Sequence, residues 1–201
     1  MAERLAGMPI LSLALFLLVG CTVSTQVTNT PRSSIEQQLL MRSLERALTG
    51  LNIEELKGRT VAVDFHALSP DTNFAKEFFI AWLQSQQVEI AQDLKHAQVQ
   101  LKVFAPVLAV DKGQSFIGAP SFTVPVLGLA MPEISLFRDM RHSGRTELQL
   151  YTIDADTGKF LNKSRVAVGA AQYDDYKILL VINFTRSDIE KGSWEWQPGA
   201  G

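Results

Sequence analysis

Thr60-Val61-Ala62-Val63-Asp64-Phe65 reads as a β-branched strand of the buried type, and its surroundings decide the fold. Pro70-Asp71 marks a turn and a helix start. Phe74, Ala75, Phe78, Phe79, Trp82 and Leu83 then recur at helical spacing, giving an amphipathic helix whose aromatic face is expected to be core. Val88-Glu89-Ile90-Ala91 is a second, short strand. The unit is therefore strand–helix–strand, with a right-handed crossover expected if the strands are parallel.

Upstream, Ser33-x-x-Glu36 fits a capping box. Ile35, Leu39, Leu40, Leu44, Ala47, Leu48 and Leu51 form an apolar stripe that Thr49-Gly50 brings to an end. The stripe covers about two heptads, too short for a coiled coil, so the helix must pack on its own domain. Downstream, Asp93–Ala97 reads as a helical turn and Val99–Asp111 as a strand. Ile134–Phe137 suggests another, and Gly144 is expected to break the chain. Thr146–Ile153 alternates, and Asp154–Gly158 has the composition of a hairpin loop. Val166–Ala170 and Lys177–Phe184 read as two further strands joined by Tyr173-Asp174-Asp175-Tyr176. Helices come early and antiparallel-reading strands late. The expected class is α+β, a mixed, mostly antiparallel sheet with two main helices on one face and no internal repeat.

Composition narrows the function classes. The 201-residue chain has a formal net charge of −2, with 46% hydrophobic and 20% charged residues. No Lys/Arg run, basic stripe or zinc-ligand spacing points to nucleic acid. The length past residue 20 suits one domain with a core large enough to need no metal or disulfide.

Residues 116–132, FIGAPSFTVPVLGLAMP, contain no charge. Pro and Gly at this density forbid a regular helix and leave edge-strand or loop conformations. The segment is too apolar for simple disorder. Phe116, Ile117, Phe122, Val124, Leu127 and Leu129 are its candidate partner- or ligand-binding side chains, and something is expected to cover them: their own domain, another protein or subunit, or lipid.

Signals for catalysis are weak. The three histidines, His66, His96 and His142, lack metal-ligand spacing. Asp64-x-His66 could place a carboxylate and an imidazole on one strand face, and Asp139 with His142 is a second candidate pair, but ordinary strand surface explains both. Asp154-x-Asp156-x-Gly158 superficially suggests a calcium loop, yet position twelve is Arg165, so a hairpin is the better reading. No G-x-S-x-G, P-loop or dinucleotide pattern occurs. A non-enzymatic protein without metal or cofactor is expected.

The N-terminus resembles that of a bacterial lipoprotein. Ile10–Val19 is an apolar run too short to span a bilayer, and Leu18-Val19-Gly20-Cys21 looks like a lipobox containing the sole cysteine. The resemblance implies cleavage before Cys21, lipidation of its thiol and, with Thr22 following, placement in the outer membrane facing the periplasm. The corresponding division is a signal peptide over 1–20, a flexible linker over 21–32, one α+β domain over 33–191 and a loose tail over 192–201 carrying Trp194 and Trp196. Thr28 to Gln37, with Thr-Pro-Arg-Ser and Glu-Gln, together with the Thr60–Phe65 strand, resembles a group of bacterial lipoproteins of unknown function. The helix–strand–helix–strand layout is more distantly similar to the lipoproteins of curli secretion and flagellar assembly, although the two long hairpins of a curli-type pore are missing. The resemblance implies an envelope accessory, assembly or scaffolding role, anchored by N-terminal lipid and exerted through an envelope protein partner or self-association. The alternative is a binding module for a small apolar or lipidic ligand. A hydrolase with an unrecognised site is a third class.

Overall fold

The computed structural model describes residues 32–124, 128–179 and 181–189. The stretches read from sequence as signal peptide, linker (through residue 31) and tail lie outside the described residues.

Helix α1, Ser34–Thr49, starts as the sequence predicts. Ser33 Oγ accepts from the Glu36 amide while Glu36 Oε2 accepts from the Ser33 amide, so the capping box satisfies donors that the first turn would leave orphaned. Strand β1, Thr60–Ala67, leads to helix α2, Thr72–Ser85, and to the two-residue β2, Glu89–Ile90. β1 lies parallel both to β2 and to β3, which runs from Val99 to Ala119. Every later pairing is antiparallel. β3 pairs with β6, Ile134–Asp154; β6 pairs with β7, Phe160–Lys163, and with β8, Ala167–Ile178; β8 pairs with β9, Ile182–Ser187. The main order is β2-β1-β3-β6-β8-β9, with β7 beside β6, so the class is α+β as expected.

One face of this sheet packs against both helices. Leu44, Leu48, Phe79 and Leu83 from the helices meet Val61, Val99, Leu101, Val103, Leu148 and Leu150 from the strands in a single buried cluster. The aromatic face of α2 is core only in part. Phe79 is fully buried and Phe78 and Trp82 partly so, but Phe74, a turn closer to the helix start, is 56% exposed.

The strands run further than their sequence suggests. β3 does not end near Asp111, and β6 does not stop at Gly144. Each has 21 residues, and they pair along almost their whole length. At ~3.4 Å per residue, the ribbon is roughly 70 Å long. Gly144 and Gly169 sit inside β6 and β8 because α1 crosses them at close range. A Cβ on Gly144 would lie 2.5 Å from the Leu39 carbonyl oxygen, and one on Gly169 would overlap the Ser43 carbonyl. Between these glycines, Ser43 Oγ donates to Leu40 O, and Thr146 Oγ1 lies 2.8 Å from Ser43 Oγ with both side chains buried.

Two other readings are corrected. Tyr173–Tyr176 is not a connection but the middle of β8, and Lys177–Phe184 is not one strand but spans the turn between β8 and β9. The polar Asp174-Asp175 pair hid that continuity, because this part of the sheet has no helix over it and tolerates charge on both faces. Pro106 lies at the register shift between Phe104 and Val107, just past the last β1–β3 pair at Ala105, where a missing N–H costs no ladder bond. The Asp154–Gly158 hairpin loop is present, with Gly158 at φ +67°.

The helix–sheet approach gives a stability test. Gly169→Ala should lower stability in urea melts by about 3 kcal/mol or more, because the helix backbone must move to admit a methyl group. Gly113→Ala, whose Cβ would meet nothing closer than 4.0 Å, should change stability by well under about 1 kcal/mol.

Candidate functional site

The catalytic pairs considered from sequence resolve into ordinary surface structure. His66 Nε2 lies 3.0 Å from Asp64 Oδ1, so the pair forms, but both side chains are largely solvated and His66 stacks on Phe104 at 5.3 Å. Asp139 does not meet His142. Residues three apart on a strand point to opposite faces, and Asp139, fully buried, instead pairs with Arg141 at 2.5 Å. Asp154 accepts from the Thr157 amide and hydroxyl, which holds its carboxyl below the usual range and closes the hairpin. Among the described residues, no three His, Cys, Asp or Glu side chains cluster as a metal site, and no helix is long and apolar enough to cross a membrane. Two clefts among the described residues, of about 560 Å³ and 440 Å³, open broadly to the surface. One lies beside Glu55 and Asn162, the other beside Phe74 and Met41.

The distinctive surface is the distal part of the ribbon. Beyond Ala105 β3 has lost β1, and beyond Lys112 no helix covers it: Lys112 Nζ reaches Glu36 Oε1 at 2.6 Å in the first turn of α1. The strands continue to Ala119 and from Ile134, joined through the small hairpin of β4, Phe122–Val124, and β5, Leu129–Met131. The charge-free segment is therefore not a loop folded over the core. Its start extends β3 as a sheet edge, one of the two conformations that its composition allows, and its centre is the hairpin tip.

Five of the six candidate side chains fall among the described residues. Ile117 is 62% exposed, Phe122 and Leu129 are each 55% exposed, and Phe116 and Val124 are half-buried. Leu127 and Cys21 lie outside the described residues. The sequence missed the companions that pairing adds: Ile134 and Leu136 on β6, Ile182 and Phe184 on β9, and Leu179 and Val181 at the turn between β8 and β9, all 44–78% exposed. A large apolar side chain gains ~1.5–3 kcal/mol on full burial. With six such groups left half-covered, on the order of 5–9 kcal/mol is unrealised, comparable with the whole net stability of a domain.

At the root of this overhang, Lys112 lies between two groups whose ionisation is shifted, Glu36 and His142. Burial opposes ionisation of Glu36, but Lys112 and the hydrogen bonds from Ser33 outweigh it and hold the carboxyl at about 2. Burial and the Lys112 charge push His142 below its ordinary value, against the raising influence of Glu36, Asp174 and Asp175.

No protein-family model matches the chain, and no curated protein matches it. Among solved structures it is similar to the crystal structure of lipoprotein GNA1162 from Neisseria meningitidis, at 8% identity and a TM-score of 0.31, over 68% of this chain and 88% of that one.

Both shifts at the overhang's root make the fold acid-sensitive. The lowered Glu36 contributes stability that is complete above about pH 4.5 and is lost as pH falls toward about 2. The lowered His142 favours the neutral ring in the fold, so stability also falls as pH drops below about 6.5. Thermal melts should be flat above about pH 7 and decline in two stages below it. His142→Gln should shrink the upper stage, and Glu36→Gln, which retains a capping-box residue, should shrink the lower one, to which Asp93, Asp154 and Asp188 also contribute.

Proposed function

We propose that this chain is a lipid-anchored lipoprotein of the bacterial envelope, held in the outer membrane with its domain facing the periplasm. It works without catalysis, as an accessory or assembly module, through contacts made by the distal part of its sheet. The observation that carries the reading is the uncovered apolar end of the ribbon, in a domain where Asp64, Asp93 and Asp139 each form a local ion pair. The Leu18–Cys21 lipobox supports the anchor, and its thiol is the one site of modification that the reading requires. Edge strand β9 supports a protein partner: its outer backbone groups have no pairing strand among the described residues, and Ile182 and Phe184 are about half exposed beside it.

Anchoring by lipid predicts a mass and a partition. Expressed in a bacterium with an outer membrane, the parent protein should lack residues 1–20, carry diacylglyceryl and acyl groups by intact-mass spectrometry, and enter the detergent phase. Cys21→Ser should carry no acyl mass and remain in the aqueous phase. Equal masses and equal partition would overturn the anchor. A photo-crosslinker at Phe184 should trap a discrete protein band in intact cells, whereas one at Lys159, at the opposite end of the sheet, should not.

A further inference from the structure

We infer that the tip of the long hairpin dips into the same lipid surface that holds the N-terminal anchor, giving the domain a second, non-covalent membrane contact. The inference rests on the anchored reading and names the partner of the distal tip as the bilayer.

Two geometric facts point to lipid. First, the described chain begins at the end of the domain from which the tip projects. The chain enters the described structure at Arg32, which is tied to Asp71 at 2.6 Å, and α1 starts directly after it with Glu36 bonded to Lys112. β3 then runs seven more residues past Lys112 to Ala119, an overhang of roughly 24 Å. The 11 residues from Cys21 to Pro31 can span at most ~40 Å. That length is enough for an acylated Cys21 to reach the plane of the tip, so that the domain can stand on both.

Second, the tip is apolar on both of its faces. Phe116 and Ile117 are neighbours on one strand and so point to opposite sides of the ribbon. Phe122, Leu129, Ile134 and Leu136 extend the exposed surface toward its end. Apolar side chains on both faces suit end-on entry into a lipid interface, which surrounds both. Between Lys112 and Glu133 there is no charged residue, and these two flanking charges are themselves neutralised, Lys112 by Glu36 and Glu133 by Arg138 at 3.1 Å. The depth is limited by the backbone. β4 and β5 pair only with each other, so their outer N–H and C=O groups need water or headgroups and cannot enter hydrocarbon unpaired. The contact is interfacial and does not span the bilayer.

The test uses the full-length lipidated protein, in which Cys21 is acylated and an engineered cysteine is the sole free thiol. Phe122→Cys, Leu129→Cys and Lys159→Cys are each labelled with an environment-sensitive nitrobenzoxadiazole dye. They are reconstituted into phosphatidylethanolamine–phosphatidylglycerol vesicles with or without lipids bearing a nitroxide near the headgroup. Labels at 122 and 129 should shift to the blue and be quenched roughly twofold or more by the nitroxide lipid, and the label at 159 should do neither. Protein that floats with the vesicles while its tip labels remain unquenched overturns the inference and leaves the anchor standing. Blue-shifted but unquenched tip labels on a protein that cross-links as a dimer also overturn it, in favour of a second copy at the tip. Protein that carries no acyl mass and fails to float overturns the anchor and the inference together.

Discussion

The structure depends on the close approach of one helix backbone to two strands. α1 lies across β6 and β8 at a distance that only glycine permits at positions 144 and 169, and the Ser43–Thr146 hydrogen bond occupies the space between those contacts. Arg46 extends the seam by bonding the Ala170 carbonyl and Asp188, just past the end of β9. Because the helix is pinned at these points, its sixteen residues decide which part of a 21-residue ribbon is core. Side chains beneath α1, such as Leu108, Thr146 and Leu148, are buried; those past its first turn have no cover from it. The overhang thus results from a mismatch of lengths. An α-helix advances ~1.5 Å per residue and a strand more than twice that, so α1 spans only about a third of the ribbon that it stabilises.

Much of the proximal body was legible from local chemistry. The capping box, the α1 stripe, the Thr60 strand and the Asp154 hairpin each carry their cause within a few residues. Ser43 and Glu36 were not legible as buried, because their burial depends on partners 103 and 76 positions away, Thr146 and Lys112. Gly144 was misread for a related reason. A glycine with no turn chemistry around it looks like a break, but here its missing side chain admits another element's backbone. Nothing within the strand records that approach.

The distal site was legible as composition but not as shape. Freedom from charge over 116–132 marks an unusual environment, and Pro and Gly limit it to edge-strand or loop conformations. What composition could not supply was the pairing that carries the segment away from the core. Register across β3 and β6 is set by alternation that fades once neither face is helix-covered, and polar residues such as Gln114, Asp139 and Arg141 interrupt the apolar pattern. The companions on β9 enter only through β8, whose Tyr173–Tyr176 centre resembles a loop in isolation. The site is therefore an emergent product of strand pairing, assembled from segments that are individually unremarkable.

An exposed ribbon of this kind is ordinarily a hazard, since bare strand edges with apolar side chains invite pairing with other chains. The charges along this ribbon are placed against that outcome. Asp111 and Lys112 on the free edge of β3, and Arg186 on β9, lie where a neighbouring strand would add, while the ladder ends at Ala119, before Pro120. The apolar groups are concentrated past these guards, at the tip and the turn between β8 and β9, where the ribbon is too short and too interrupted to propagate a sheet. Strand pairing is opposed at the flanks while apolar contact remains available at the end. That separation opposes another β-edge as the tip's neighbour, and on β9 the side chains of Ile182, Phe184 and Arg186 share one face.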